Sequence, residues 1–358
     1  MKNKVAIIFG GKSAEHEVSL NSAENIIKAT NKTLFDMVLI GVDKNGIWHF
    51  NSEYKSDLAE ISLNRFFSGS TEIILETKGN KTFIIDAKNK EALEFFDVAF
   101  PIIHGTFGED GTLQGYFKTL NIPFVGADIL ASAICMDKEI TKRILRDAQI
   151  PVANFIPVNN TEQDKCPFEQ AVAELGLPLF VKPCNAGSSV GVSKVTDKVT
   201  FTEAIKSAFQ HDKKILIEEA VMGKEVECAI LGNEKPIASV VGEIIPQRDF
   251  YSYEAKYKDA HGAKMKIPAE IPVEIADSIR NTALNAYRLT CCEGMARVDF
   301  FLSNDNTFVL NEINTLPGFT KISMYPKLWE YSGISYPDLI TKLIELAIEK
   351  YKRDGRKD

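Results

Sequence analysis

The sequence has no uninterrupted apolar run near the roughly 18 residues that a membrane-crossing helix needs, so no membrane partner is expected. Export is not expected: the apolar residues 5–9 are too few for a signal-peptide core, and a charged segment follows. No polybasic run occurs, and 42 Lys plus Arg stand against 49 Asp plus Glu for a net charge of -7. A counterion-releasing track for nucleic acid is therefore missing. None of the six cysteines forms a CxxC pair, and the adjacent Cys291 and Cys292 suit neither a zinc site nor an ordinary disulfide. A reducing, cytoplasmic setting is expected. What remains is an ordinary globular composition over 358 residues, enough for two or three domains.

Residues 5–9 form a β-branched run that ends at Gly10-Gly11, and helical character follows over 19–30. Residues 35–42 and 98–103 read as further strands and 111–120 as a helix. This alternation predicts a parallel sheet with helices on its faces. Residues 45–90 are polar and poorly periodic, and read as an irregular insertion. Residues 137–148 look helical, and Gln149-Ile150-Pro151 punctuates them. Beyond lie predicted strands 179–182, 192–195 and 215–218 with helix 201–209, a small α+β lobe. Strands 225–231 and 237–245, a polar loop over 246–264, helix 276–287, a hairpin and a last helix over 336–351 complete the chain, with 353–358 read as a frayed tail.

The most informative segment is MARVDFFLSNDNTFVLNEIN, residues 295–314. Ser303 to Asn306 is a turn signal between two apolar runs, which predicts a hairpin. A turn near Asn304 and Asp305 sets Asp299 opposite Glu312 and Arg297 opposite Asn314, all on one face because strand residues two apart point the same way. Facing carboxylates repel unless a cation lies between them. Two carboxylates and an amide are hard oxygen donors, suited to Mg²⁺ and its phosphate ligands rather than Zn²⁺. A solvated polar strand face is the alternative.

A second segment, FVKPCNAGSSVGVSK (180–194), runs from a strand through Lys182 into a Gly/Ser loop whose amides and hydroxyls can wrap phosphate oxygens. It is not a Walker A loop, and neither is Gly11-Lys12-Ser13, because the required leading glycine falls at Ala6. A plain hairpin turn is the competing reading. Third, ILIEEAVMGKE (215–225) is an apolar strand with an acidic far end, able to meet an adenine edge and ribose hydroxyls or simply solvent. Lys138 and Lys256 carry little weight singly.

Taken in order, these segments resemble the D-alanine-D-alanine ligases of the ATP-grasp superfamily over nearly the whole chain. The resemblance rests on FGGKSAEHEVSLNS (9–22), HGTFGEDGTLQG (104–115), MDK (136–138), GSSVG (187–191), YEAKY (253–257) and NEINTLPGFT (311–320). It implies an N-terminal parallel-sheet α/β domain over 1–135, followed by a two-lobed ATP-grasp fold over 136–225 and 226–358. Lys138, Lys182, Ser189 and Lys256 resemble the ATP phosphate contacts. Glu218, the backbone at Glu219 and Val221, and Glu225 resemble the adenine and ribose contacts. Asp299, Glu312 and Asn314 match the ligands of Mg²⁺ or Mn²⁺, two ions per site. Glu15 and His104 resemble the first-substrate site, and Ser323 and Met324 the second. Glu15, Ser188 and Tyr257 match a hydrogen-bonded triad; Arg297 and the Gly318 amide match the oxyanion-stabilising groups. Cys184 replaces a usual small residue, and Lys321 lies beside the second-substrate site.

The implied chemistry is ATP-dependent joining of two D-alanines through a D-alanyl phosphate, with loop 246–264 as a lid against water. A homodimer supplying peptidoglycan precursors is likewise implied. D-serine or D-lactate as second substrate, or an ATP-binding regulatory module without ligase activity, are the rival readings. Tyr257 in YEAKY favours the dipeptide, and His261 leaves the ester open.

Overall fold

Asn3–Gly10 buries its whole apolar run, from Val5 to Phe9, as a strand covered on both faces must. It pairs in parallel with Phe35–Val42 on one side and Val98–Pro101 on the other, and the helix His16–Ala29 supplies the first crossover. The predicted parallel arrangement holds for these three strands. The sheet is nevertheless mixed, for it continues antiparallel through Trp48–Phe50, Thr71–Lys78, Lys81–Asp86 and Ala92–Phe96 to seven strands. That corrects the irregular insertion expected over 45–90. Thr71–Lys78 alternates buried Ile73 and Leu75 with exposed Glu72, Ile74 and Glu76, the signature of a strand covered on one face. The computed structural model describes residues 2–54, 62–161, 166–246 and 263–355.

A second, antiparallel sheet runs in the order Ser193–Val195, Leu179–Pro183, Lys214–Glu219, Phe155–Asn159. Helices Phe168–Leu175 and Lys198–Ala208 cover it, packing Ala171, Phe201 and Ala204 on Leu179, Val181 and Ile215. The third sheet, also antiparallel, runs Ala263–Lys266, Ile237–Pro246, Lys224–Gly232, Gly294–Leu302, Phe308–Asn314. Helix Val273–Leu289 buries Ile279, Ala283 and Ala286 in the same core as Val226, Ile230 and Val298.

Two helices tie these layers together. Lys138–Asp147 is capped by Asp137, whose carboxylate accepts from the Glu139 and Ile140 amides at 3.1 Å each, satisfying two otherwise orphaned donors. The cap fixes Lys138 at the first helical position. The last helix, Tyr336–Asp354, returns to the first sheet and shares one core with it, Leu339, Leu343 and Ile344 joining Val5, Ile7, Phe9 and Val98. Lys350 on this helix is buried, donates to the Gly126 carbonyl at 2.7 Å and lies 4.3 Å from the Phe124 ring centre. Fraying expected from residue 353 does not occur there, because Arg353 lies in the last helix and donates to both oxygens of Glu293 at 2.6 and 3.0 Å; residues 356–358 lie outside the described residues. Among the described residues, all six cysteines are free thiols and no helix is long and apolar enough to cross a membrane.

Candidate active site

The hairpin of Gly294–Leu302 and Phe308–Asn314 pairs Asp299 with Glu312 and Arg297 with Asn314, the register expected from the turn. Phe300 then pairs with Leu310, so Asn311 is the extra residue of a bulge. On the other side Lys224–Gly232 sets Glu227 against Asp299, which places three acids on successive strands. Arg297 answers that repulsion. Its guanidinium donates to both oxygens of Asp299 at 2.8 and 2.7 Å and approaches Glu227 at 3.0 Å. Burial alone would weaken the guanidinium's hold on its proton, but Asp299 and Glu227 outweigh it and push the pKa well above the ordinary value. Lys138 adds a second cation, 3.7 Å from Glu312.

Between the second and third sheets lies a cavity whose walls include Lys138, Lys182, Ser189, Glu218, Glu219, Val221 and Glu225. Seven positions chosen from sequence thus converge on one surface. Lys182 lies next to the end of the strand Leu179–Pro183, and Lys138 pins the following loop by donating to the Ala186 carbonyl at 2.7 Å. Within that loop Ser188 and Ser189 both hold left-handed backbone, at φ 52° and 60°. Such conformations cost side-chain-bearing residues energy and concentrate at functional sites. Glu218 is buried between Lys142, at 2.6 Å, and Lys182. Burial would raise its pKa, yet the two ammonium groups hold it below the usual carboxylate value.

A second cavity adjoins the first and is walled by Glu15, His104, Ser188, Arg297, Gly318, Ser323 and Met324, together with Glu109 and Asn314. Ser188 donates its hydroxyl to Glu15 across 173 residues of sequence, which joins the first sheet to the Gly/Ser loop. Gly105 makes room for that carboxylate: its φ is +76°, and a Cβ there would lie 2.6 Å from Glu15 Oε2. His104 is buried against Glu109 at 3.3 Å, the Leu316 carbonyl at 3.2 Å and the Ser22 hydroxyl at 3.2 Å. Burial opposes its charging, but Glu109 and Glu15 overcome this and raise its pKa.

Of the three predicted metal ligands, Glu312 and Asn314 line the cavities, while Asp299 lies behind them, 2% exposed and held by Arg297. Lys256, Tyr257, His261 and most of the predicted lid fall outside the described residues. Sequence reasoning missed Glu109, Lys142 and Glu227. A usable signal existed for Lys142, which follows Lys138 by four residues on the same helix face.

Comparison with known proteins agrees with this geometry. Residues 4–127 match the family described as D-ala D-ala ligase N-terminus, and residues 144–345 match D-ala D-ala ligase C-terminus. The D-alanine-D-alanine ligase of Oceanobacillus iheyensis is 55% identical over 359 residues, covering 99% of this chain and 97% of that protein. Among solved structures, the D-alanine-D-alanine ligase from Coxiella burnetii superposes with a TM-score of 0.85 at 34% identity, covering 99% of this chain and 97% of the other. The D-Ala:D-Ser ligase from Enterococcus faecalis superposes with a TM-score of 0.84 at 35% identity, covering 97% and 100%. Identity above one half along the full length, on a fold matched end to end, settles the kinship: this chain belongs to the D-alanine-D-alanine ligase family.

Proposed function

We propose that ATP occupies the cavity between the second and third sheets and that two D-alanines occupy the cavity beside it. The carrying observation is that the two cavities share Lys138, Ser188 and Glu312 as a common wall. A phosphoryl donor on one side and a carboxylate acceptor on the other therefore meet at one place. The family relation supplies the activity, ATP-dependent formation of D-alanyl-D-alanine for peptidoglycan precursors.

Glu15 and His104 orient the first D-alanine, the carboxylate of Glu15 taking its ammonium. The substrate carboxylate then attacks the γ-phosphorus, the bond to the β-phosphate oxygen breaks, and ADP departs from D-alanyl phosphate. Lys138 and Lys182 offset the charge gathering on the phosphates. Ser323 and Met324 receive the carboxylate end of the second D-alanine, whose neutral amine attacks the acyl carbon. Arg297 and the Gly318 amide stabilise the tetrahedral oxyanion, the attacking nitrogen gives up one proton, and phosphate leaves with the electron pair and can carry that proton away. Lys256 and Tyr257 complete the phosphate contacts and the Glu15–Ser188 link in this reading.

Asp299, Glu312 and Asn314 fit Mg²⁺ or Mn²⁺ by donor chemistry: all are oxygen donors, and a carboxylate bound to arginine keeps lone pairs in reserve. Such ions, when bound, would supply positive charge that offsets the negative charge of the phosphates. Among the described residues no cluster of three His, Cys, Asp or Glu forms a metal site, and the amide is the third donor in this trio. The three sheets support the division at about residues 135 and 225. Cytoplasmic location and a homodimer complete the reading.

A mass-resolved assay offering D-alanine, D-serine and D-lactate together tests the second site. D-alanyl-D-alanine with one ADP and one phosphate per turnover is expected. A predominant D-serine dipeptide, the product class of the Enterococcus relative, or a D-lactate ester would overturn the assignment.

A further inference from the structure

Lys142 has no part in the chemistry above. Its side chain is 1% exposed and lines neither cavity. Its ammonium sits 2.6 Å from Oε1 of Glu218, while Lys182 takes Oε2 of the same carboxylate. One buried carboxylate is thus shared by two buried lysines. Burial and the neighbouring Lys182 charge lower the Lys142 pKa while Glu218 opposes the fall, and with both ammonium groups protonated the cluster carries a net positive charge. Only Lys182 and Glu218 reach the wall of the nucleotide cavity. Without Lys142 the remaining pair would be neutral and would offer phosphates a dipole in place of a charge. Stability alone is a poor reason for the third charge, because buried ion clusters are often replaced by apolar side chains at no loss.

We propose that Lys142 is a positioning residue for the nucleotide: it takes up the charge of Glu218 from behind, so that Lys182 keeps its own for the phosphates. The inference rests on the placement of ATP proposed above. Asn311 also accepts from Lys182. The bulge that displaces Asn311 from the ladder brings its Oδ1 to 3.4 Å from the Lys182 ammonium. Lys182 is held at two points, and Lys142 determines what charge it presents.

The test is calorimetric binding of ADP with Mg²⁺ to the full chain, beside steady-state kinetics. Lys142→Met is expected to weaken ADP roughly tenfold or more, equivalent to about 1.4 kcal/mol, and to raise the ATP KM in step. The D-alanine KM should stay within about twofold, a split that general damage does not produce. Lys142→Arg keeps the charge and should bind ADP within about threefold of the parent. Should Lys142→Met fail to fold, Lys142→Gln, which retains a donor for Glu218 without the charge, carries the same expectation. Lys182→Ala is the reference, and parental ADP affinity in that variant overturns the placement of ATP itself. Weak binding by Lys182→Ala together with parental affinity in Lys142→Met overturns the role of Lys142 alone. Equal losses of ADP and D-alanine affinity in Lys142→Met do the same, since they mark plain structural damage.

Discussion

Replacing Lys350 by methionine separates the cost of a buried charge from the benefit of its hydrogen bond. Burial lowers the Lys350 pKa from 10.5 to about 8, against the partial support of Asp128 and Glu293 and with Lys118 adding to the fall. A displacement of that size is worth about 3 kcal/mol, which the protein forgoes wherever Lys350 is charged. Methionine keeps most of the volume and removes the charge, but leaves the Gly126 carbonyl without its donor, at about 1 to 3 kcal/mol. At pH 7 the two effects nearly cancel, and the parent and Lys350→Met should agree within about 2 kcal/mol. The balance changes with pH. Between about 8 and 10.5 the unfolded chain binds a proton at this lysine that the folded chain has released, so the parent gains stability as pH rises through that window. Neutral Lys350 still donates to Gly126, and the parent should finish ahead by roughly 1 to 3 kcal/mol. Urea midpoints for both chains at half-unit steps from pH 7 to 10.5 measure the gap, and titrating groups that do not interact with Lys350 cancel in the difference. A gap that stays constant across that range would refute the reasoning.

Glu312→Gln should lower turnover by about two orders of magnitude or more, with an unchanged unfolding midpoint; full ADP release at ordinary Mg²⁺ would remove Glu312 from the site. Arg297→Met strands Asp299 and Glu227 as buried carboxylates and should cost about 3 to 5 kcal/mol in denaturant titration. A loss below about 1 kcal/mol would contradict the ion cluster. Gly10→Ala places a methyl 2.2 Å from the Val42 carbonyl at φ +94° and should destabilise by more than about 1 kcal/mol, read as a fall in melting temperature.

The hairpin was legible because its turn residues and its carboxylates constrain one another. Ser303 to Asn306 limits the register to a few choices, and only one aligns Asp299, Glu312, Arg297 and Asn314. The bulge at Asn311 was not legible, since no glycine marks it and the turn-side pairs alone shift. Thr71–Lys78 went unread for a different reason: Ile74 stands exposed in an otherwise alternating strand, and its apolar side chain blurs the period. Charged residues inside the protein are the hardest class. Lys142, Glu109 and Glu227 look like surface charges in sequence, and only the partners that meet them across distant segments make their burial tolerable. Glu218 was legible as an acidic residue at the end of its strand, where it lines a cavity, whereas its double pairing depends on a helix and a strand that sequence spacing does not relate.

The shared core of the first sheet and the last helix sets an order on how this protein can be made. Val5, Ile7 and Phe9 emerge from the ribosome early, while Leu339, Leu343 and Ile344, members of the same core, are added near the end. At roughly 5 to 20 residues per second, the interval between them is on the order of fifteen to seventy seconds. Throughout that time part of the apolar face of the first sheet has no cover, and it is a surface for chaperones to bind or for nascent chains to aggregate through. A message truncated before the last helix would therefore yield a chain with much of its machinery encoded and its earliest sheet still open to its neighbours.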